Sequence, residues 1–297
     1  MLRHTIIRRF AGTLADAEGL LAVERATFDE SPYSAEQVQA MLTGGAQRAW
    51  LAVNGGQVIG FVAAFPTSGL RGPCWEIDLL AVHPEWTGQR LATRLIRTAA
   101  SGGMQVARRA RAAVAGDNAA SARAFLRAGF RRVGACTLYI HQIKGQSPRP
   151  WTALGVTVRE AASLEEAARW LPEDTVSPVS GGSATRHEPQ GEGSAIHLLA
   201  EYHGQPAGYG ELIPVQTLLY RGLWIESLVA SKQTVRVALV NEALTRAISM
   251  GLDEIGMMVP ESEPPLQETF LAAGFRSLGD FDWLRADLPL PGLAAGV

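Results

Sequence analysis

Hydrophobic and polar positions along the chain switch between a period of two and a period near 3.6, the marks of strand and helix. HTIIRRF, from residue 4, reads as a strand. ADAEGLLAVERATF, from residue 15, carries its apolar residues at helical spacing. Ser34 caps a second helix, SAEQVQAML, with Gln37 placed to complete a capping box. AWLAV and QVIGFVAAF flank Asn54, Gly55 and Gly56, a hairpin signal. CWEIDLLAV is a fourth strand, and GQRLATRLIRTAASGG an amphipathic helix that ends in glycine. QVARRARAAV is a fifth strand, NAASARAFLRAGF a helix closed by Gly129, and TLYIHQI a last strand. The order β, α, α, β, β, β, α, β, α, β predicts a mixed α/β sheet with hairpins rather than a doubly wound one.

The pattern then repeats. LAVNGGQVIGF (51–61) is answered by LAEYHGQPAGY (199–209), an offset of 148 that pairs Gly56 with Gly204 and Gly60 with Gly208. The same offset carries Ile77 to Ile225, Asp78 to Glu226 and Leu80 to Leu228. AFLRAGFRRVG (124–134) is answered by TFLAAGFRSLG (269–279), and RRFAGTLADA (8–17) by VREAASLEEA (158–167). Three blocks in one order imply a tandem duplication, with a period too long for a solenoid. GQSPRPWTAL (145–154) is the linker, so the expected domains are 1–146 and 155–297. Where the first copy has its second helix, the second has SPVSGGSATRHEPQGEGS (177–194), which reads as a loop.

Charge divides along the same boundary. Residues 1–150 hold 18 Lys and Arg against 10 Asp and Glu, while residues 151–297 hold 9 against 19. A basic half suits a phosphate-bearing ligand, and opposite halves also attract each other. With 47% hydrophobic residues there is material for real cores, yet no apolar run reaches the ~18 residues of a membrane span. Neither a signal-peptide core at the start nor a disulfide framework from Cys74 and Cys136 is evident, so the expected compartment is the cytoplasm. The six histidines are scattered and no ligand set is spaced for zinc, so no metal is expected. RRARAAV (108–114) is basic but lacks interleaved aromatics, which makes nucleic acid an unlikely partner.

The stretch VHPEWTGQRLATRL (82–95) joins the fourth strand to a helix through a glycine turn. Such a turn presents free backbone N–H groups at a helix N-terminus and attracts anions. It has neither the lysine of a nucleotide-hydrolase P-loop nor the glycine spacing of a dinucleotide fold. It resembles the acetyl-CoA loop of the GCN5-related N-acetyltransferases, whose signature is Gln or Arg, two free positions, Gly, one free position, then Gly or Ala, after a strand ending Val-x-Pro. The six positions here are Thr87, Gly88, Gln89, Arg90, Leu91 and Ala92. Val82, Pro84, Trp86, Leu91 and Ala92 fit the wider pattern, while Thr87 and Arg90 depart from it. DNAASARAFLRAGFRRVG (117–134) resembles a second family block through Asn118, Phe125, Gly129 and Phe130, with Leu126 where the family has tyrosine.

The resemblance implies two tandem acyl-CoA N-acyltransferase-like domains and an acetyl-CoA-dependent N-acetyltransferase acting on a small-molecule or peptide amine. It assigns the coenzyme to Leu80, Ala81, Val82, Thr87, Gly88, Gln89, Arg90, Leu91, Ala92, Thr93, Asn118 and Phe125. Thr87 would keep a hydroxyl donor, and the Arg90 side chain would leave along the outer face. Glu76 and Asp78 are the candidate bases, and simple alternation would put both on one face with Leu80 and Val82. Since Leu126 cannot donate a proton, Tyr139 is the substitute candidate for the leaving-group acid. Asp29, Glu30 and Tyr33 would line the acceptor site. The second copy has no glycine in its turn, LVASKQTVRVALVNEAL (228–244), and is expected to bind the coenzyme poorly or not at all. The alternative is a CoA-binding but catalytically inactive sensor or scaffold, and the assembly is a monomer or a homodimer.

Overall fold

The computed structural model describes residues 5–28, 32–69, 72–148, 151–170 and 195–290. The first half runs β1 (Ile6–Arg9), α1 (Leu14–Phe28), α2 (Ala35–Gly44), β2 (Arg48–Asn54), β3 (Gln57–Gly69), β4 (Gly72–Val82), α3 (Leu91–Gly103), β5 (Arg109–Ala115), α4 (Ala119–Ala128) and β6 (Arg131–Gln142). The second runs β7 (Val156–Glu160), α5 (Leu164–Ala168), β8 (Ile196–Tyr202), β9 (Gln205–Gln216), β10 (Arg221–Ala230), α6 (Gln233–Ser249), β11 (Glu254–Pro260), α7 (Pro264–Ala272) and β12 (Arg276–Asp287). The segment 177–194, read from sequence as a loop, lies outside the described residues.

Local chemistry accounts for the boundaries. Ser34 and Gln37 form the reciprocal capping box that opens α2. Asn118 caps α4, its Oδ1 accepting from the Ser121 N–H at 3.0 Å, and Gly129 closes that helix at a φ of 110°. Helix α3 lies close against the sheet because Gly102 and Gly103 leave room for the indoles of Trp50 and Trp75. The Trp75 indole N–H donates to the Ala99 carbonyl at 2.9 Å, so its one polar atom is satisfied inside the core.

The twelve strands among the described residues form one sheet, in the order β1-β2-β3-β4-β5-β12-β6-β11-β10-β9-β8-β7. Each half's final strand has crossed over. β12 pairs antiparallel with β5 of the first half, and β6 pairs antiparallel with β11 of the second. β6 and β12 then pair with each other. The first half packs apolar residues on both sheet faces: Trp50, Ile59, Val62, Trp75 and Ile77 toward α3 and α4, and Leu51, Phe61, Ala63, Leu79 and Ala81 toward α1 and α2. The second half has a core of its own around α6 and α7.

Candidate active site

The site is shaped by a fault in β4. Its register against β3 passes from Ala63 opposite Leu79 to Ala64 opposite Ile77, which leaves Asp78 as the extra residue of a β-bulge. The bulge corrects the simple alternation expected from sequence. Trp75 and Ile77 face α3, but beyond the bulge Leu79 and Ala81 face α1 while Leu80 and Val82 pack toward α3. The carboxylates therefore do not share a face with Leu80 and Val82.

β4 also parts from β5. The two pair in parallel only at Trp75 and Glu76, opposite Ala110 and Arg111. From Ile77 to Val82, β4 has no strand partner on that side among the described residues, so alternate N–H and C=O groups face an open cleft.

At the mouth of the cleft, residues 83–90 link β4 to α3. Gly88 has a φ of 75° and Arg90 a φ of 60° with ψ 19°. Arg90 thus takes the left-handed conformation that favours glycine, which is why its position calls for one. It is the N-cap of α3, makes no capping hydrogen bond, and is exposed. The backbone N–H groups of Gly88, Gln89, Arg90, Leu91, Ala92 and Thr93 meet no acceptor among the described residues. A Cβ built on Gly88 would touch nothing within 4 Å, so the approach to these donors is open. They form a backbone cradle of the kind that can hold an anion without any basic side chain.

Side chains at the other sequence-assigned positions have their own tasks. The Thr87 hydroxyl donates to the Pro84 carbonyl at 2.9 Å, so it is not the spare donor expected from sequence. Thr93 ties α3 to α4 through the Ala124 carbonyl at 3.4 Å. The Phe125 ring is buried in the core and meets Phe130 edge to face at 5.1 Å, so it supports the cleft rather than lining it.

The two candidate bases sit in contrasting surroundings. Glu76 accepts from Thr67 Oγ1 at 2.9 Å and from Arg111 Nη2 at 2.7 Å. Arg111 also binds Glu226 at 2.6 Å, completing a Glu–Arg–Glu triad across the two halves. Asp78 has no cation among the described residues. Its carboxylate accepts from Gln47 Nε2 at 2.9 and 3.1 Å and is hydrogen-bonded to Thr217 of the second half. Burial pushes the Asp78 carboxyl up to about 7, with the neighbouring Glu76 adding to the rise and the bonds from Gln47 and Thr217 opposing it. Gln47 is in turn held by the Leu218 N–H, which donates to its Oε1 at 2.9 Å.

Tyr139 is not in this cleft. It lies on the exchanged strand β6, is 4% exposed, and packs on Phe270 in the core of the second half, at a ring distance of 5.9 Å. Leu126 is exposed on α4, like its counterpart Leu271 on α7. Tyr33 is partly buried, and its phenol is pushed up by burial, then by Asp253 and Glu254, so Tyr33 lies near the second half. Asp29 and Glu30 lie outside the described residues.

The second half keeps the bulge but not the cradle. Its register shifts between Ile225 and Ser227, leaving Glu226 unmatched, at the offset of 148 from Asp78. Only residues 231–232 separate β10 from α6, against residues 83–90 in the first half, and no loop can form there. Val235 is buried where an open turn would be, within 2.7 Å of a Cβ built on Gly208.

Gln47, Thr217, Arg111 and Glu226 were not legible as site residues. The repeat did pair Asp78 with Glu226, and the alternation of RRARAAV did predict one basic strand face. That face turns inward: Arg109 and Arg111 line a central cavity, while Ala110, Ala112 and Val114 are buried on the other side.

Residues 18–130 match the model of the acetyltransferase (GNAT) family. No curated protein sequence matches the chain. Among solved structures, the chain is similar in fold to a GCN5-related N-acetyltransferase from Sphaerobacter thermophilus, with a TM-score of 0.60, 21% identity and 97% of each chain covered. It is also similar to a tandem GNAT protein from the clavulanic acid biosynthesis pathway, with a TM-score of 0.52, 15% identity, and 96% of this chain and 98% of that one covered.

Proposed function

We propose that this chain, whose first half belongs to the acetyltransferase (GNAT) family, transfers an acetyl group from acetyl-CoA to a primary amine in that half. The observation that carries the proposal is the run of six unbonded N–H groups from Gly88 to Thr93, set beside the cleft where β4 leaves β5. The pyrophosphate of the coenzyme would rest on that run, and its acyl arm would lie along the open side of β4 near Leu80, Ala81 and Val82. There, backbone N–H groups would polarise the thioester carbonyl as its oxygen gains charge.

Asp78 is the base in this scheme, acting directly or through one water. Its proton affinity, matched to neutral pH, suits a group that must accept a proton and then release it. Glu76 is left aside in this scheme because Arg111 holds its carboxylate. The amine attacks the acetyl carbonyl, its proton passes to Asp78, the new C–N bond forms, and the C–S bond breaks with its electron pair on sulfur. Leu126 offers the departing thiolate no proton, so solvent supplies it. Asn118 caps the start of α4, and Tyr33 would stand on the acceptor side in this reading.

The second half would act as a wall: Thr217 and Leu218 hold the Asp78–Gln47 pair in place. The exposed Leu126 favours one other reading, a chain that binds CoA without turning it over. Release of CoA thiol from acetyl-CoA in the presence of an amine panel separates the two. Acceptor-dependent release supports transfer. Binding with no release from any acceptor would leave the sensor reading.

A further inference from the structure

The exchanged strands gather arginines at the middle of the sheet. Arg285 of β12 stands opposite Arg111 of β5 on one side and opposite Arg131 of β6 on the other. Three cations are thus abreast on neighbouring strands, about 4.8 Å apart from strand to strand. Like charges directly opposed destabilise a sheet, so the row calls for counter-charge. Arg111 has Glu76 and Glu226. Arg285 and Arg131 form no ion pair or hydrogen bond among the described residues, and Nε of Arg285 is buried without an acceptor.

A cavity of about 140 Å³ lies in front of Arg111 and Arg285, walled by both halves. Arg109, Arg111, Arg285 and Trp283 line one side, and Glu211, Glu226 and Cys74 are among the residues that close it. The Trp283 ring, 5.6 Å from the Arg111 guanidinium, gives the floor a flat apolar patch. The volume suits a short organic chain with one charged end.

Position relates the cavity to the transfer site. Asp78 is two residues along β4 from Glu76, Glu76 is opposite Arg111, and Arg111 is opposite Arg285. Two residues along a strand and two strands across amount to on the order of 12 Å between Cα positions. A molecule with its amine at Asp78 and its anionic end at Arg285 must therefore hold the two groups several bonds apart.

Building on the acetyl-transfer reading, we propose that the acceptor is an amine bearing a remote carboxylate, of the ω-amino acid type, and that Arg285 binds the carboxylate in the central cavity. The carboxylate supplies the partner that Arg285 lacks among the described residues. The Glu76–Arg111–Glu226 triad, in which Arg111 already has its counter-charge, forms the wall beside the acceptor's chain.

The test uses the full chain with acetyl-CoA and three acceptors of matched length: aminocaproate, hexylamine and hexamethylenediamine. Aminocaproate is expected to have a kcat/KM about tenfold or more above either of the others, the worth of a charged hydrogen-bonded contact. Arg285→Leu should raise its KM by a similar factor, with kcat and the constants for hexylamine little changed. Arg285→Lys should fall between, since it keeps the charge and loses the fork. A parallel arm needs no turnover: adipate should raise the melting temperature of the wild type and not of Arg285→Leu, with inorganic phosphate compared in the same assay. Equal use of hexylamine with no effect of adipate would overturn the carboxylate site while leaving acetyl transfer intact. Stabilisation by phosphate alone would overturn the ligand class. Adipate binding through Arg285 with no turnover of any acceptor would uphold the anion site and sink the transfer reading.

Discussion

Asp78 is a carboxylate at a β-bulge held by an amide instead of a cation, and it keeps its proton far above the usual aspartate range. Its folded-state value, about 7, exceeds the ordinary 3.8, so as pH rises the unfolded chain loses this proton first. The folded state is then penalised progressively between those values, in total by a few kcal/mol. Asp78→Asn is expected to remove that penalty. The variant should melt higher than the wild type above pH 7, with the difference vanishing near pH 4, while its acetyl transfer falls by about 10²-fold or more. Wild-type turnover should rise with pH through about 7. Thermal melts and rate profiles across that range check both; an undiminished rate in Asp78→Asn would remove Asp78 as base. Arg90 allows a second residue-scale prediction. Arg90→Gly relieves a left-handed conformation and should gain up to about 1 kcal/mol in stability. Since the cradle is backbone, its affinity for acetyl-CoA should shift by less than about tenfold. A larger loss would show that the guanidinium itself holds the coenzyme.

Elements depend on where glycine lets them approach. Helix α3 reaches the sheet through Gly103, where an added Cβ would lie 2.4 Å from the fully buried Trp75 ring. Gly103→Ala is expected to cost about 1–3 kcal/mol by overpacking, read as a lower denaturant midpoint. Should it prove neutral, the α3–sheet contact is looser than described. These elements were largely legible from periodicity. The capping box at Ser34 and Gln37, the hairpin at Asn54 to Gly56, and the Gly129 stop all stand where turn and cap chemistry put them. The bulge at Asp78 was not legible, because a single extra residue leaves the strand's composition unchanged while reversing every side chain after it. Nor could the sequence show that the Thr87 hydroxyl is spent on Pro84.

The whole molecule is joined by exchange. The repeat announced two copies, but self-similarity says nothing about which sheet a final strand enters, and β6 and β12 enter each other's. That crossing carries Tyr139 out of the first half and sets Arg285 against Arg111. It also brings Glu226 onto Arg111, so the charge divided between the halves is partly joined at the centre. Arg111→Leu leaves two partly buried glutamates facing each other and should cost about 3–5 kcal/mol, observed as a lower melting temperature of the whole chain. A neutral substitution would mean the triad does not bind the halves together. The two copies differ in the strand-to-helix connection, residues 83–90 against 231–232, and this difference makes the most direct test of the account. Calorimetric titration of the full chain with acetyl-CoA should give one site per chain, abolished by Gly88→Asp, which sets a carboxylate at a φ of 75° before the open N–H groups. Two sites, or one that survives Gly88→Asp, would contradict it.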